Sequence, residues 1–180
     1  SKTPEMIWVK KRNSSRNWGI YHKGLNGGTN PEQYALEFWE YAEYDSSQWN
    51  DTAPTTTHFS LGTSQTVNQN GDTYIAMLFA SVDGISKVGS YSGSDSEQTI
   101  TTGFQPRFVI IRNTDAQQWA MLDTTRGWAS GNDPVLYLNS NGAQGTSENF
   151  GAPTSNGFTV TGTSANSGGS GTHCIYYAHA

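Results

Sequence analysis

The chain has little charge, a single cysteine and no long apolar run. Only 14% of its 180 residues are charged, and the formal net charge is −5. A chain with no basic surface cannot gather phosphates, so we expect no nucleic-acid partner. The longest apolar run, Ile75–Ala80, is too short to cross a bilayer, so we expect no membrane insertion.

The lone thiol of Cys174 excludes an internal disulfide framework and a zinc site built from cysteines. Its position in an apolar run indicates a core residue rather than a nucleophile. The four histidines are scattered and form no His-x-His or Glu-x-x-His pair. We therefore expect neither a metal nor a cofactor.

Glycine and aromatic residues are abundant: 20 Gly, 6 Trp, 9 Tyr and 7 Phe, with many Thr, Ser and Asn residues. This composition is typical of short strands joined by tight turns. Alternation at Phe59 and Leu61, and again at Phe158 and Val160, indicates strands with one wet face. The pattern predicts an all-β sandwich or jelly roll rather than βαβ units.

An internal repeat organises the chain. The segment Ala53–Leu61 returns as Ala152–Val160, 99 positions later, with four identities in nine residues. Other pairs follow in the same order: Pro4–Lys10 with Pro106–Arg112, Trp18 with Trp119, and Gly71–Ala80 with Gly171–Ala180. A repeated unit predicts two duplicated halves. We place the modules at 1–82 and 83–180, packed together either as two modules or as one pseudo-symmetric sandwich.

The segments Pro4–Lys10, Tyr21–Pro31 and Trp49–Thr55 resemble a repeated β-sandwich module of tailed-bacteriophage virion proteins. Phe104–Ile111 and Gly157–Val160 match the same module again, so the resemblance covers nearly the whole chain. It implies a lectin-like, concanavalin-type fold and a place on the surface of a virion, with marine phages as the source. The implied partners are other copies of the chain or other virion proteins, with host-surface polysaccharide as a further candidate. The family has no established catalytic residues to carry over.

The two halves differ in one strand. Lys87–Thr102 precedes the second half, whereas nothing comparable precedes Pro4. A sheet without that strand exposes unpaired N–H and C=O groups, which natural β proteins avoid. We therefore expect the edge beside Met6–Lys10 to be covered by a preceding segment, by a strand from a neighbouring subunit, or by the connection Ser81–Gln105.

An enzyme is not expected. The acid-rich segment Glu37–Asp45 is predicted to be a strand, and the spacing of three sends Glu40 to the face opposite Glu37 and Glu43. The predicted repeat partner of this strand, Val135–Asn139, carries no acid. A solvated face therefore explains the acids better than a pair of catalytic carboxylates.

Tryptophans are the best candidates for a binding surface, because sugars stack on exposed aromatic rings. Trp18 and Trp119 recur in both halves and are predicted to be core, as is Trp8, which Ile110 replaces. Four aromatic residues are predicted to form a stacking patch or an equally plausible protein contact: Trp39, Tyr41, Trp49 and Trp128.

The leading hypothesis is a non-enzymatic phage structural or adhesion module in a tail fibre, a tail tip or the capsid surface. The alternative is a carbohydrate-binding module of a secreted bacterial glycan-degrading enzyme. Neighbouring sequence discriminates between them, since further copies of the module favour the virion and a catalytic domain favours the hydrolase.

Overall fold

The computed structural model describes residues 2–115 and 118–180. Its strands β1–β14 are Met6–Lys11, Trp18–His22, Tyr34–Ala35, Glu43–Tyr44, Tyr74–Phe79, Ser86–Ser92, Gln98–Thr101, Phe108–Asn113, Trp119–Asp123, Asp133–Tyr137, Gly145–Glu148, Pro153–Thr154, Gly157–Val160 and His173–His179. One α-helix, α1, spans Ser46–Trp49, and 3-10 turns lie at Leu25–Gly28, Pro31–Gln33 and Thr124–Arg126. The predicted all-β class is confirmed. No helix in the described ranges is long and apolar enough to span a membrane.

The chain divides into two compact units, Ser1–Ser81 and Val82–Ala180. Unit 2 contains a six-stranded sheet in the order β11-β10-β9-β8-β14-β6 and a three-stranded sheet in the order β12-β13-β7. Alternate residues of both sheets meet in one core, because successive side chains of a strand point to opposite faces. That core includes Ile100, Val109, Ile111, Phe158, Val160 and Tyr176. Unit 2 is therefore a β-sandwich.

Unit 1 contains a three-stranded sheet in the order β2-β1-β5 and a two-stranded sheet formed by β3 and β4. An isolated bridge between Ile20 and Leu36 joins β2 to the residue after β3. One core cluster contains Ile7, Val9, Tyr21, Trp49 and Val67. A second, aromatic cluster packs Trp8 against Trp18, Phe38 and Phe79 at ring distances of 5.3–6.1 Å. The sheet of unit 1 thus has a hydrophobic cluster on each face.

The central ladders of the two units have the same register. Met6 pairs with Phe79 in unit 1, and their repeat counterparts Phe108 and His179 pair in unit 2. The neighbouring ladders agree in the same way, with Ile7 opposite Tyr21 and Val109 opposite Leu122. The repeated motifs therefore occupy matching positions in matching antiparallel sheets.

Two local predictions were wrong. Glu37–Asp45 is not one strand, because β3 and β4 pair with each other and the residues between them form their connection. Because Ile20 bridges Leu36 and Met121 pairs with Leu136, the repeat partner of Val135 is Ala35 rather than a residue of the acidic segment.

The position of the open edge also needs correction. β1 is flanked on both sides, by β2 and β5, so no edge lies beside Met6–Lys10. The connection Ser81–Gln105 does not cover unit 1 as a strand, since its strands β6 and β7 pair with β14 and β13 of unit 2.

Candidate functional site

The candidate site lies in unit 1, where a loop connects β3 to β4. Tyr34 and Ala35 pair with Tyr44 and Glu43, which closes the hairpin. Within the loop, Trp39 is 52% exposed and Tyr41 is 47% exposed. Two exposed aromatic side chains in one loop offer ring faces on which a ligand can stack.

A cavity of about 250 Å³ opens beside Tyr41, which is one of its lining residues. Its walls come from β3, the loop, β4 and α1. The lining residues are Ala35, Glu37, Glu40, Tyr41, Glu43, Asp45 and Gln48. The loop therefore gathers all four acids of the segment around one cavity, where an extended strand would have divided them between two faces.

Two of the acids are held in place by neighbouring groups. Glu37 accepts hydrogen bonds from Asn17 Nδ2 at 2.6 Å and from Thr66 Oγ1 at 3.1 Å. Asp45 caps α1, because its Oδ1 accepts from the backbone N–H and the hydroxyl of Ser47 at 2.8 and 2.6 Å. Both carboxylates are thus oriented before any ligand arrives.

Gln48 forms part of the cavity wall from α1. The residue is 3% exposed, and its amide Oε1 is buried with no hydrogen-bond partner in the described part of the chain. A buried amide without a partner costs free energy, about 1–3 kcal/mol. Gln48 Oε1 lies against Gly19 of β2, so this residue packs α1 against the sheet and forms the floor of the acidic cavity.

The cavity carries excess negative charge. Glu37, Glu43 and Asp45 form no ion pair with any described residue, since the ion pairs of unit 1 join Lys11 to Asp72 and Lys23 to Glu5. Across residues 2–115 and 118–180, no cluster of three or more His, Cys, Asp or Glu side chains is arranged to hold a metal ion. The arrangement offers carboxylate acceptors to hydroxyl or amine donors.

Of the four predicted binding residues, Trp39 and Tyr41 are exposed and Tyr41 lines the cavity, whereas the structure corrects the other two. Trp49 is 2% exposed and packs on Tyr21 at a ring distance of 5.9 Å. Trp128 is also 2% exposed, with its ring 6.1 Å from Phe158. Its indole N–H donates to the Gly151 carbonyl at 2.8 Å. Both residues are core.

The predicted core tryptophans behave differently in the two units. Trp8 and Trp119 are buried as expected. Trp18 is only half-buried, because it begins β2, the outer strand of its sheet. Trp119 begins β9, which has β10 beside it.

A second cavity, of about 320 Å³, lies in unit 2 and is lined mainly by Asn132, Ser147, Glu148, Asn149, Thr163 and Ser164. No aromatic side chain lines it, so it is the weaker candidate.

Sequence reasoning missed Gln48 and misjudged the acids. The sequence contained a signal for both, because Asp45 is followed by two serines. This pattern is a common helix start, and a helix that begins there cannot continue a strand.

Residues 1–180 match the family model described as a domain of unknown function, DUF7483. The chain belongs to that family. No curated protein and no solved structure matches it.

Proposed function

We propose that this chain is a non-enzymatic adhesion and assembly module of a bacteriophage virion, and that it binds host-surface glycan through the β3–β4 loop. The observation that carries the binding site is the exposure of Trp39 and Tyr41 in this loop, where Tyr41 lines a cavity together with four acids and Gln48. Aromatic faces stack on sugar rings, while carboxylates accept hydrogen bonds from sugar hydroxyls. The motifs that resemble virion modules support the location on the virion surface.

Binding rather than catalysis fits the state of the acids. Glu37 already accepts two hydrogen bonds from the protein, and Asp45 serves as a helix cap. A general acid or nucleophile needs a free oxygen directed at the scissile bond. Carboxylates already engaged by the protein are better suited to holding a ligand still.

We further infer that the two units arose by duplication of one lectin-like β-sandwich of jelly-roll type. The matching registers around β1 and β8 support this inference. Repeated modules are common in assemblies that use many weak contacts, because linked sites raise the overall avidity.

The glycan site is tested by a screen of bacterial surface polysaccharides followed by calorimetric titration. Trp39→Ala and Tyr41→Ala should each weaken binding by about tenfold, the loss expected when one stacking ring is removed. The matched control is Tyr44→Ala, since Tyr44 is 64% exposed but lies in β4 rather than in the loop, with its ring 5.9 Å from that of Tyr34. Equal affinities in all three variants, or no glycan bound by the unaltered chain, would refute the site.

The virion location needs its own test. Antibodies against the chain should label purified particles of the phage that encodes it, on the outer surface and without disruption. Label only in the lysate, with clean particles unlabelled, would point to a secreted protein instead.

A further inference from the structure

The outer edge of β5 is open. β5 pairs with β1 on one side, and on the other side it pairs with no strand of the described chain. Arg12 N donates to Thr73 O at 2.8 Å, which makes this a hydrogen-bonded pair of the β1–β5 ladder. Since the pattern alternates along a strand, Tyr74, Ala76 and Leu78 direct their N–H and C=O groups away from β1.

Unit 2 shows what the same edge looks like when it is covered. β14, the counterpart of β5, pairs with β8 on one side and with β6 on the other, through seven residue pairs. β7, which follows β6 in the chain, pairs with β13 in the other sheet. The segment Ser86–Thr101 therefore closes both layers of the unit 2 sandwich along one side.

The lack of such a segment leaves apolar side chains of β5 in solvent. Leu78 is 50% exposed, and Ala76 beside it is also exposed. Their counterparts in unit 2, Ala178 and Tyr176, are 0% and 4% exposed. Tyr91, Ile100 and Phe104 cover these counterparts and belong to the same core cluster.

The second layer of unit 1 is also incomplete. Residues 58–61, the counterparts of β13, form no strand. A cavity of about 300 Å³ separates this layer from β5 and is lined by Lys2, Pro4, residues 55–57, His58, Phe59 and Leu78. It lies where unit 2 has the aromatic and aliphatic side chains of its closing segment. A β-strand with inward apolar residues would fill it.

The β5 edge also lacks the features that keep natural edges apart. Tyr74–Phe79 contains no charged residue, no proline and no bulge in its ladder. Proteins protect exposed edges with such features, so an unprotected edge indicates a partner. Because β5 is uncharged, its complement is a strand of low charge, as β6 is with one lysine in seven residues.

We infer that unit 1 is completed by strand addition from another protein module, which supplies a two-strand segment of the Ser86–Thr101 type. Its first strand runs antiparallel to β5 and its second pairs with residues 58–61. The main chain gives the affinity, and one apolar side chain from each strand, in the positions of Tyr91 and Ile100 of unit 2, enters the core between the two layers. This surface is separate from the glycan site and does not depend on it.

The test uses the full chain and a synthetic peptide of residues 84–105, with amide hydrogen exchange followed in fragments that resolve 74–78 from 173–179. At saturation, the peptide should slow exchange in 74–78 by at least about tenfold, because outward N–H groups gain acceptors. A control peptide with Tyr91→Asp and Ile100→Asp, the two changes on the core-facing side chains, should have no effect. Unchanged exchange in 74–78 with the unaltered peptide would overturn the proposal.

Two variants keep the result interpretable. Ala76→Pro removes an N–H that points away from β1, so it should abolish the peptide effect while leaving the β1–β5 ladder intact. If that variant unfolds, Leu78→Lys places a charge on the same edge and should weaken peptide binding. Sedimentation without peptide decides the remaining case: a dimer with protected 74–78 amides would make a second copy the occupant and would overturn the proposed partner.

Discussion

β5 and β14 occupy the same place in their two sheets, yet one is exposed and the other is buried. Both pair with the central apolar strand of their unit in the same register. Ile75 is 50% exposed, whereas Ile175 is 1% exposed. Their outer edges differ as well, since β6 pairs with β14 and no described strand pairs with β5. The comparison teaches that two strands can pair in the correct register while their sheet lacks the next strand.

The second layer of unit 1 also lacks a strand that unit 2 has. In unit 2, β13 is held between β12 and β7, and its Phe158 is fully buried. In unit 1, the same stretch has irregular backbone and Phe59 is half-buried. A strand needs a partner for its backbone groups, and no described strand pairs with residues 58–61 as β7 pairs with β13.

The largest expected effect is on the free energy of unfolding, when each of these two phenylalanines is truncated. Phe158→Ala should destabilise unit 2 by about 3–5 kcal/mol, the usual cost of truncating a buried aromatic side chain. Phe59→Ala, the matched change in unit 1, should cost about 1–2 kcal/mol because its side chain has already lost part of its packing. Chemical denaturation followed by hydrogen exchange in each unit measures both. Equal losses would show that the two layers are equally complete.

Thiol reactivity sharpens the comparison of the strands themselves. Cys174 is fully buried, and burial raises the pKa of its thiol to about 11. A cysteine placed in β5 by Ala76→Cys, in a chain that also carries Cys174→Ala, should have an ordinary pKa. At pH 8 it should react with a disulfide reagent about 100-fold faster or more than Cys174 does. Similar rates would mean that β14 opens as readily as β5.

The smallest effect concerns pH. In unit 1, burial opposes ionisation of Glu5, but hydrogen bonds from Lys23 and Ser81 outweigh it and lower the pKa of Glu5 below 4.5. This stabilisation is present above pH 4.5 and is lost as the pH falls through the lowered pKa. In unit 2, burial raises the pKa of Asp133 above 3.8. Its contribution is therefore fullest below pH 3.8 and is lost as the pH rises through the raised pKa.

Acid should consequently weaken unit 1 relative to unit 2, by no more than about 1 kcal/mol for a partly exposed pair such as Glu5 and Lys23. Unfolding measured unit by unit between pH 6 and pH 3 checks the direction. Glu5→Gln should reduce the unit 1 response, leaving the part that comes from Asp72, whose pKa is also lowered through its hydrogen bond with Lys11, and should leave that of unit 2 unchanged. A relative loss in unit 2 on acidification would contradict the assignment.

The sequence predicted the all-β class and the paired strands because apolar residues such as Ile7 and Val109 recur in short runs with turn residues around them. The predicted duplication stays an inference that the matching registers support. The open edge was predicted but misplaced, since the pattern of Met6–Lys10 does not reveal that this strand is flanked on both sides.

The candidate site was predictable only in part. Trp39 and Tyr41 lie where an unpaired aromatic was expected to lie, in solvent. Trp49 and Trp128 do not, because each unit fills its core with different aromatic residues, and the absence of a repeat partner carries no information about exposure. The convergence of acids around Gln48 depends on a loop, and loop geometry follows from pairing between β3 and β4 rather than from local periodicity.

Hydrogen exchange of the chain alone tests the central comparison most directly. The account predicts that the outward amides of Tyr74, Ala76 and Leu78 exchange quickly, while those of Cys174, Tyr176 and Ala178 are protected by pairing with β6. Equal protection of the two sets in the monomeric chain would contradict it.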